Sequence, residues 1–390
     1  MRIDYQTYFD PRHIFEDDEE ELRRAANSFE KFREIGFSEV EAQNLIDSAY
    51  CVVMDQIVID RLYGGPKSST DFRTRFLLGM FRDQFGAMPN SLPLMYRAGN
   101  VEDVFDIIET LRAKRRRPLL FRGQTAHYAV TRKVPNPSFV HPELGETSLM
   151  PSLWRRVTKQ RLNVWHQFRD LSMLEWSTIM FDKFDLQEIH RLEREAGLTH
   201  PIEYPDEVPD DPSLDLVRAF HMQRDAFLND FGFDGSHAFS TLLQHYGLYS
   251  PVLDLTTDPE IALFFATQKF GRDGGRCRYK FVGSNDRQAI IYVVYQDKNE
   301  ALQYQRTKML EAFDPQRPKR QSCVIIGSNG YAMNLAADYL LAAIRLDFDM
   351  AAPGRLTATD LFPPDSEDPL LATLKRRIRD AARSNLTDFG

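Results

Sequence analysis

Cysteine is scarce in this sequence, whose 390 residues include only Cys51, Cys277 and Cys323. Three scattered cysteines are too few for a disulfide framework or a structural zinc site, and they favour a reducing compartment. The sequence also lacks an apolar run close to the roughly 20 residues of a transmembrane helix, and its first residues lack the apolar core of a signal peptide. We therefore expect a cytoplasmic protein with no membrane partner.

An excess of positive charge is missing too. The 49 Lys and Arg residues are outnumbered by 57 Asp and Glu residues, and the formal net charge is −8. Phosphate contacts need clustered Lys and Arg, so this balance excludes a wholly basic nucleic-acid-binding surface but leaves room for a local basic groove. The sequence contains no GxxxxGK(S/T), HExxH or CxxC pattern, and so lacks the signatures of phosphate-loop and common metal sites.

The composition is that of a globular protein with a sizeable core, at 43% hydrophobic and 27% charged residues. The length predicts two domains, or one domain with a large appendage. Residues 1–115 are predicted to form a helical N-terminal region, whose second helix opens with a capping-box pattern at Ser38 and Glu41. The predicted helices run from Leu22 to Phe32 with Gly36 as the stop, from Ser38 to Gly64-Gly65, from Thr70 to Phe85 and from Val101 to Leu111.

A domain boundary is predicted near residue 115, where the basic run KRRRP gives way to LLFRGQ, a short buried strand. Over residues 116–390, strand-like runs and helical patterns mix without regular alternation, which favours an α+β domain over a doubly wound parallel sheet. A helical pattern at about 160–235, broken by the acidic, proline-rich loop HPIEYPDEVPDDPS, predicts a helical insertion in this domain.

The stretch QHYGLYSPVLDLTTDPEIALFFAT, residues 244–267, sets polar groups against an almost wholly apolar run. Its pattern predicts a helix ended by Gly247, a strand in VLDL, and a helix with Asp258 as N-cap and Pro259 at its first position. The polar residues therefore lie at element ends, where the scaffold fixes them toward a cleft. These candidate site residues are His245, Tyr246, Asp254, Thr256 and Thr257.

Each candidate also has a purely structural interpretation. His245 lies in the last helical turn, whose partial negative charge favours a protonated imidazole, but a His at a helix end is commonly structural. Asp254 needs a partner inside its apolar strand and could simply brace a turn. Arg122 and Gln124 end the LLFRGQ strand, where an Arg fork suits a phosphate or carboxylate; the alternative for Arg122 is an ion pair with Asp254.

Four separated motifs together resemble the FRG domain, named for its Phe/Tyr-Arg-Gly signature. The likeness covers roughly Pro118 to Phe362 without the insertion, and implies a bacterial or phage-borne protein of a kind often found in defence or toxin contexts. The motifs are LLFRGQ at 119–124, SLMPSLWRR at 148–156, QHYGLYSPVLDLTTDPEIALFFA at 244–266 and RPKRQSCVI at 317–325.

The order of these motifs is more loosely similar to that of ADP-ribosyltransferases. This second resemblance implies a mixed or antiparallel split-sheet core and NAD as substrate. Arg122 matches the first motif, which holds NAD, and Thr256 and Thr257 match the second, which shapes the nicotinamide pocket. In the third motif Gln321 is present, but Cys323 stands where a Glu is expected.

The resemblance implies a role for each candidate residue. Cleavage of the nicotinamide–ribose bond builds positive charge on the sugar, so a site needs an anionic or dipolar stabiliser and a clamp on the pyrophosphate. We expect the cofactor-binding group to be Arg122, Gln124, Thr256, Thr257 and Arg317, with the two arginines as the clamp. We expect the catalytic group to be Asp254 or Gln321 on the ribose hydroxyls, Tyr246 stacked on nicotinamide, and His245 as acid or base.

Two other hypotheses follow from the same residues. In one, a non-catalytic module senses a nucleotide or a partner protein and the N-terminal helices relay the signal. In the other, Cys323 and His245 form a nucleophilic pair if their motifs meet in space, although buried-strand cysteines are usually inert. A nucleotide-type small molecule is the expected ligand, and a protein or a nucleic acid is the expected target of any transfer.

Overall fold

The computed structural model describes separate stretches of the chain. They are residues 28–53, 57–60, 62, 65–66, 92–114, 118–137, 139–152, 155, 184–198, 202, 205–222, 242, 244–247, 250, 252–273, 276–295, 301–303, 314–327, 334, 336 and 340–377. The helices include α1 (Ser28–Glu34), α2 (Glu39–Asp47), α3 (Val101–Lys114), α4 (Leu186–Glu195), α5 (Pro259–Thr267), α6 (Gln316–Arg320), α7 (Ala358–Leu361) and α8 (Pro369–Arg377). The strands are β1 (Tyr50–Val53), β2 (Ile57–Asp60), β3 (Gly65–Pro66), β4 (Leu94–Ala98), β5 (Leu119–Gln124), β6 (Val140–His141), β7 (Gly145–Glu146), β8 (Val252–Thr256), β9 (Gln268–Asp273), β10 (Arg276–Phe281), β11 (Ile290–Tyr295), β12 (Ala301–Gln303), β13 (Cys323–Gly327) and β14 (Leu340–Leu346).

A seven-stranded sheet lies at the centre, in the order β12-β13-β8-β5-β11-β14-β4. Its neighbours pair antiparallel except β14 and β4, which are parallel. The described residues therefore form a mixed, mostly antiparallel sheet with several helices, and the predicted α+β class is confirmed. The predicted strands in LLFRGQ and VLDL are confirmed as well.

The sheet is divided between β5 and β8. These two strands pair at a single position, Phe121 opposite Thr256, whereas β5 pairs with β11 at six positions and β8 with β13 at five. Away from that one pair, no ladder hydrogen bonds join the two halves in the described residues. The two halves of the sheet are therefore joined by a single residue pair, and we call this junction the split of the sheet.

Both faces of the sheet are covered by apolar side chains, which accounts for the nearly continuous apolar sequence IIYVVY in β11. On one face, Phe121, Ile291 and Val293 pack against buried residues of α3 and α5. On the other face, Leu120, Tyr292 and the leucines of β8 form a second cluster. The chemistry-bearing ends of β5 and β8 are thus held by strands that are buried on both sides.

Gly123 allows α5 to lie directly on β5. A Cβ atom at this position would stand 1.7 Å from the Ala262 carbonyl oxygen and 2.7 Å from the Ala266 nitrogen. Both atoms belong to the helix backbone, so no side-chain rotation relieves the clash. The glycine of the Phe-Arg-Gly sequence is therefore required by the close approach of a helix to a strand.

The N-terminal region is not wholly helical. The capping box is confirmed, since Glu41 N–H donates to Ser38 Oγ at 3.3 Å and Ser38 N–H donates to Glu41 Oε2 at 2.8 Å. The predicted continuation of this helix to Gly64-Gly65 is wrong, because α2 ends at Asp47 and the chain then forms β1, β2 and β3. The sequences YCVV and IVID are rich in β-branched residues, which favour a pleated surface.

Other predicted N-terminal helices differ in outcome. Gly36 follows α1 at φ +104°, as expected of a helix stop, and α3 confirms the helix over Val101 to Leu111. Residues 70–85 lie outside the described residues, as does the first part of the predicted helix from Leu22. β4 belongs to the central sheet, while the domain division near residue 115 stays a prediction.

A buried charge network attaches the small β1–β3 sheet to the rest of the protein. Arg132 Nη2 lies 2.6 Å from Asp60 Oδ2, and Arg132 Nε donates to Glu146 Oε2 at 2.9 Å. All three side chains are at most 4% exposed. Asn136 donates to both carboxylates, so the acidic oxygens are satisfied although two negative charges face one positive charge.

The predicted insertion, at about 160–235, is helical where it is described. It contains α4 and helical residues 215–222, and the proline-rich loop forms two short 3-10 turns, Pro205–Glu207 and Pro212–Leu214. Among the described residues, no helix is both long and apolar enough to cross a membrane.

The contact of β5 with α5 predicts that Gly123→Ala destabilises the protein by about 3 kcal/mol or more, because the helix backbone must shift. The matched control is Gly271→Ala in β9, where an added Cβ meets nothing within 4 Å. We expect the control to change stability by less than about 0.5 kcal/mol. Urea unfolding of the three proteins measures this, and equal stability of the two variants would contradict the contact.

Candidate functional site

A cavity of about 430 Å³ opens where the two halves of the sheet part. The end of β5 contributes Arg122 to its lining, and the end of β8 contributes Asp254 and Thr256. An aromatic wall lies in the same lining and comprises Phe265, Phe270, Tyr279 and Phe362. The cavity therefore combines a polar side at the strand ends with an aromatic side, as small-molecule sites commonly do.

Arg122 bridges the split in the sheet. Its Nη1 donates to the Asp254 carbonyl oxygen and to Asp254 Oδ1, both at 2.7 Å. The Arg122 side chain thus occupies the place of a ladder hydrogen bond that β5 and β8 do not make. The ion pair with Asp254 that the sequence left as an alternative is present, and both of its members also line the cavity.

Asp254 presents one carboxylate oxygen that the described residues leave unbonded. Oδ1 accepts from Arg122 and from Gln244 Nε2, the latter at 3.0 Å, while Oδ2 accepts no hydrogen bond from them. Burial raises the pKa of Asp254, but the Arg122 charge and its hydrogen bond outweigh burial and hold this pKa below the ordinary value. The carboxylate is therefore ionised at neutral pH, with Oδ2 available to a ligand.

Arg122 is itself only partly used. The two bonds to Asp254 share Nη1, Nη2 makes no hydrogen bond to the described residues, and Nε is buried without a partner. A second guanidinium, that of Arg155, lines the same cavity. Arg155 keeps exposed surface, and partial desolvation together with the like charge of Arg122 lowers its pKa.

His245 lines the cavity but is 94% buried and uncharged. Burial lowers the pKa of His245 to about 4, although the negative charge of Asp254 opposes this. The expectation that the helix end keeps this imidazole protonated near neutral pH is therefore wrong, because desolvation outweighs the partial charge of the helix terminus. Gly247 does end the helix, at φ +82°.

The two motifs that carry His245 and Cys323 meet in space. His245 Nε2 lies 2.9 Å from Cys323 Sγ, and burial raises the pKa of the Cys323 thiol well above its usual value. Both groups are uncharged at neutral pH, so the contact is a hydrogen bond between a thiol and an imidazole. A nucleophilic pair needs a thiolate, which this environment disfavours.

Tyr246 and Arg317 lie behind the cavity and outside its described lining. The Tyr246 hydroxyl donates to Asp368 Oδ2 at 2.7 Å, and burial raises the pKa of Tyr246. Arg317 stacks over the Tyr246 ring at 4.8 Å and donates to the His245 carbonyl oxygen at 3.2 Å. Neither side chain has exposed surface, so in this conformation neither can touch a ligand.

Of the remaining candidate residues, two line the cavity and two do not. Thr256 lines the cavity, and its Oγ1 accepts from Asp258 N–H at 3.1 Å. Gln321 lines it too, while its Nε2 donates to the Leu361 carbonyl oxygen at 3.1 Å. Thr257 is exposed, and Gln124, whose Oε1 is buried without a partner, lies outside the described lining.

The predicted N-cap is confirmed: Asp258 accepts from Glu260 N–H at 2.8 Å, with Pro259 at the first position of α5.

Sequence reasoning missed several residues of the cavity. Arg155 and Gln244 stand inside quoted motifs, SLMPSLWRR and QHYG, but nothing in their spacing marks them. The aromatic wall comes from α5, the β9–β10 hairpin and the segment after α7, and its rings pack together, with Tyr279 stacked on Phe362 at 5.1 Å between centroids. Phe265 meets Phe362 edge-on.

A protein-family model described as FRG domain matches residues 188–273. The match supports the FRG resemblance and contains most of α4 and all of β8, α5 and β9, including the motif from Gln244 to Ala266. It begins within the predicted insertion, and the other three motifs lie outside it. No curated protein and no solved structure matches the chain. Among the described residues, no group of three or more His, Cys, Asp or Glu is placed to hold a metal ion.

The buried imidazole predicts a pH-dependent stability. Since the pKa of His245 is about 4 in the folded protein and about 6.5 when unfolded, the unfolded chain takes up the proton first as pH falls. We expect the wild type to lose about 2 kcal/mol more than His245→Gln between pH 7 and pH 5. Urea unfolding at both pH values measures this, and the comparison cancels other titrating groups. Equal losses would contradict a neutral buried imidazole.

Proposed function

We propose that the cavity at the split of the sheet binds NAD, and that the protein is an FRG-domain effector that consumes NAD or transfers ADP-ribose in bacterial defence or toxin-type conflict. One observation carries this proposal. A guanidinium with unused donors and an ionised carboxylate face the same cavity as a cluster of aromatic rings. A nucleotide needs those three kinds of contact, for its phosphates, its ribose hydroxyls and its rings.

The residues at the cavity divide these tasks. The aromatic wall offers ring faces and edges to nicotinamide or adenine. Arg122, the first of the two arginines expected as a clamp, offers Nη2 to the phosphates. Arg317 drops out of that clamp because it is buried behind the cavity.

Asp254 supplies the electrostatic part of the chemistry. In NAD hydrolysis the bond between nicotinamide and the ribose C1′ breaks, the bonding pair leaves with nicotinamide, and positive charge grows on the sugar. Oδ2 of an ionised, partly desolvated Asp254 stabilises that charge or orients a ribose hydroxyl. A water oxygen then bonds to C1′ and its proton is released to solvent. With another acceptor in place of water, the same step transfers ADP-ribose.

The His245 imidazole is not needed as a base in this scheme. Its ring is neutral and Nε2 contacts the Cys323 thiol. We propose instead that His245 fixes the floor of the cavity beside Gln321, and that Gln244 holds Asp254 with Oδ2 toward the ligand.

A second candidate is a non-catalytic module that senses a nucleotide or a partner. Two observations favour it. Asp254 is the only carboxylate in the described lining, and it is already paired with Arg122. In the third motif, Cys323 stands where a Glu is expected. In this case the ligand binds and stabilises the protein, and it dissociates without being chemically altered.

Turnover separates the two candidates. If the protein consumes NAD, Asp254→Asn should lower kcat by roughly 100-fold or more, because the charge that stabilises the sugar is lost while the side-chain shape is kept. The matched control is Glu260→Gln, which removes a carboxylate on α5 outside the cavity lining and should leave kcat unchanged. Release of nicotinamide measures the rate, and thermal melts check that both variants fold.

If the wild type leaves NAD intact and transfers no labelled ADP-ribose, the enzymatic proposal is wrong. A melting temperature that rises with NAD under those conditions supports the sensing module.

A further inference from the structure

The β9–β10 hairpin is a basic segment of an acidic chain. Residues 268–281 contain five Lys and Arg residues and one Asp, whereas the whole chain has a formal net charge of −8. We infer that the outer face of this hairpin is a docking surface for a single strand of nucleic acid, which it holds beside the cavity. The inference rests on the proposed function, because it names a nucleic acid as the target of ADP-ribose transfer.

The register of the hairpin separates a basic face from an aromatic face. Lys269 pairs with Lys280, and the next residue, Phe270, pairs with Tyr279. Because side chains alternate between the two faces of a strand, the lysines share one face with Arg278 and the two rings lie on the other. The rings are 5.7 Å apart between centroids, and both line the cavity. The basic face is therefore the outer face of a hairpin that walls the cavity.

Lys269 and Lys280 are directly opposite each other, and both are exposed. Neither ammonium group forms an ion pair or a hydrogen bond with the part of the chain that the structure describes. Like charges at opposite positions of an antiparallel pair are destabilising, so folding alone does not favour two lysines here. A phosphate that accepts from both ammonium groups replaces this repulsion by attraction.

Gly271 leaves the middle of the basic face open. It lies two positions after Lys269 on the same strand, and an added Cβ would meet nothing within 4 Å. A glycine inside a strand often marks a position where a ligand or another backbone approaches closely. The face therefore offers an unobstructed strip between charged side chains, along which a sugar–phosphate backbone fits.

The composition of this face favours a nucleic acid over a protein or a membrane. Its described side chains are basic, and none of them is apolar. Protein interfaces have an apolar core, and membrane-bound surfaces bury apolar side chains among the lipids. Interfaces with nucleic acids are instead polar and strongly positive. Charge complementarity therefore selects a phosphate backbone as the partner.

Phe270 favours a single strand over a duplex. The residue lines the cavity, yet it is 43% exposed. An exposed aromatic ring at a basic surface can stack an unpaired base, whereas a paired base must first leave its duplex, which costs free energy. A single strand that follows the hairpin thus has an unpaired base within reach of the cavity.

Fluorescence anisotropy with a labelled oligothymidylate of about 16 nucleotides, measured without NAD, tests this surface. The double variant Lys269→Gln with Lys280→Gln should weaken binding at least about tenfold at about 50 mM salt. It should also lower the slope of log Kd against log salt by about 1.4, which corresponds to two lost phosphate contacts on a single strand.

The matched control is Lys31→Gln with Lys133→Gln, which removes the same charge from lysines that pair with Glu34 and Asp47. It should bind the oligonucleotide as the wild type does. A thermal melt checks that the hairpin variant folds, and its melting temperature should equal or exceed that of the wild type because the like-charge pair is gone.

The inference is wrong if the wild type does not bind the oligonucleotide at this salt concentration, or if the hairpin variant and the control lose affinity equally. Tighter binding of polyglutamate, or of a duplex of equal length, would overturn it in favour of an acidic protein or paired DNA. If the hairpin binds the strand but NAD is never consumed, the docking surface stands and the enzymatic proposal is wrong. If NAD is consumed but the strand is not bound, the enzymatic proposal stands and the nucleic-acid target is wrong.

Discussion

The ion pair between Arg122 and Asp254 is the interaction on which the centre of the molecule depends. Two halves of a sheet meet at one residue pair, and a single guanidinium nitrogen bonds both the backbone and the side chain of Asp254 across the gap. Removing either member would leave a partly buried charge without its partner, which is costly. The same pair that joins the sheet also furnishes the charged part of the cavity, so stability and ligand binding share these residues.

Burial decides which polar residues of the motifs at 244–266 and 317–325 can contact a ligand. Tyr246 and Arg317 are fully buried and hold each other and the backbone of His245. His245 reaches the cavity but is desolvated into its neutral form. Asp254 stays ionised because Arg122 outweighs the same penalty. The polar candidates therefore fall into two groups. Tyr246 and Arg317 are buried behind the cavity and support it, whereas Asp254 and His245 line the cavity itself.

Sequence patterns of a few adjacent residues correctly predicted the helix caps and the helix stop, because these features depend only on those residues. The capping box at Ser38, the N-cap at Asp258 and the stop at Gly247 were predicted because each depends on a few adjacent residues. The strands after α2 were not predicted, because the short apolar runs YCVV and IVID do not by themselves distinguish a strand from a buried helix. Arg155 and the aromatic wall could not be predicted, since they meet the strand ends through tertiary packing that spans over two hundred residues of sequence.

Hydrogen exchange with and without saturating NAD tests the central claim most directly, namely that a ligand is held at the split between β5 and β8. The account predicts slower exchange of the backbone amides at the ends of these strands and in the β9–β10 hairpin that carries Phe270 and Tyr279. Protection confined to other parts of the chain, or unchanged exchange throughout, would contradict it.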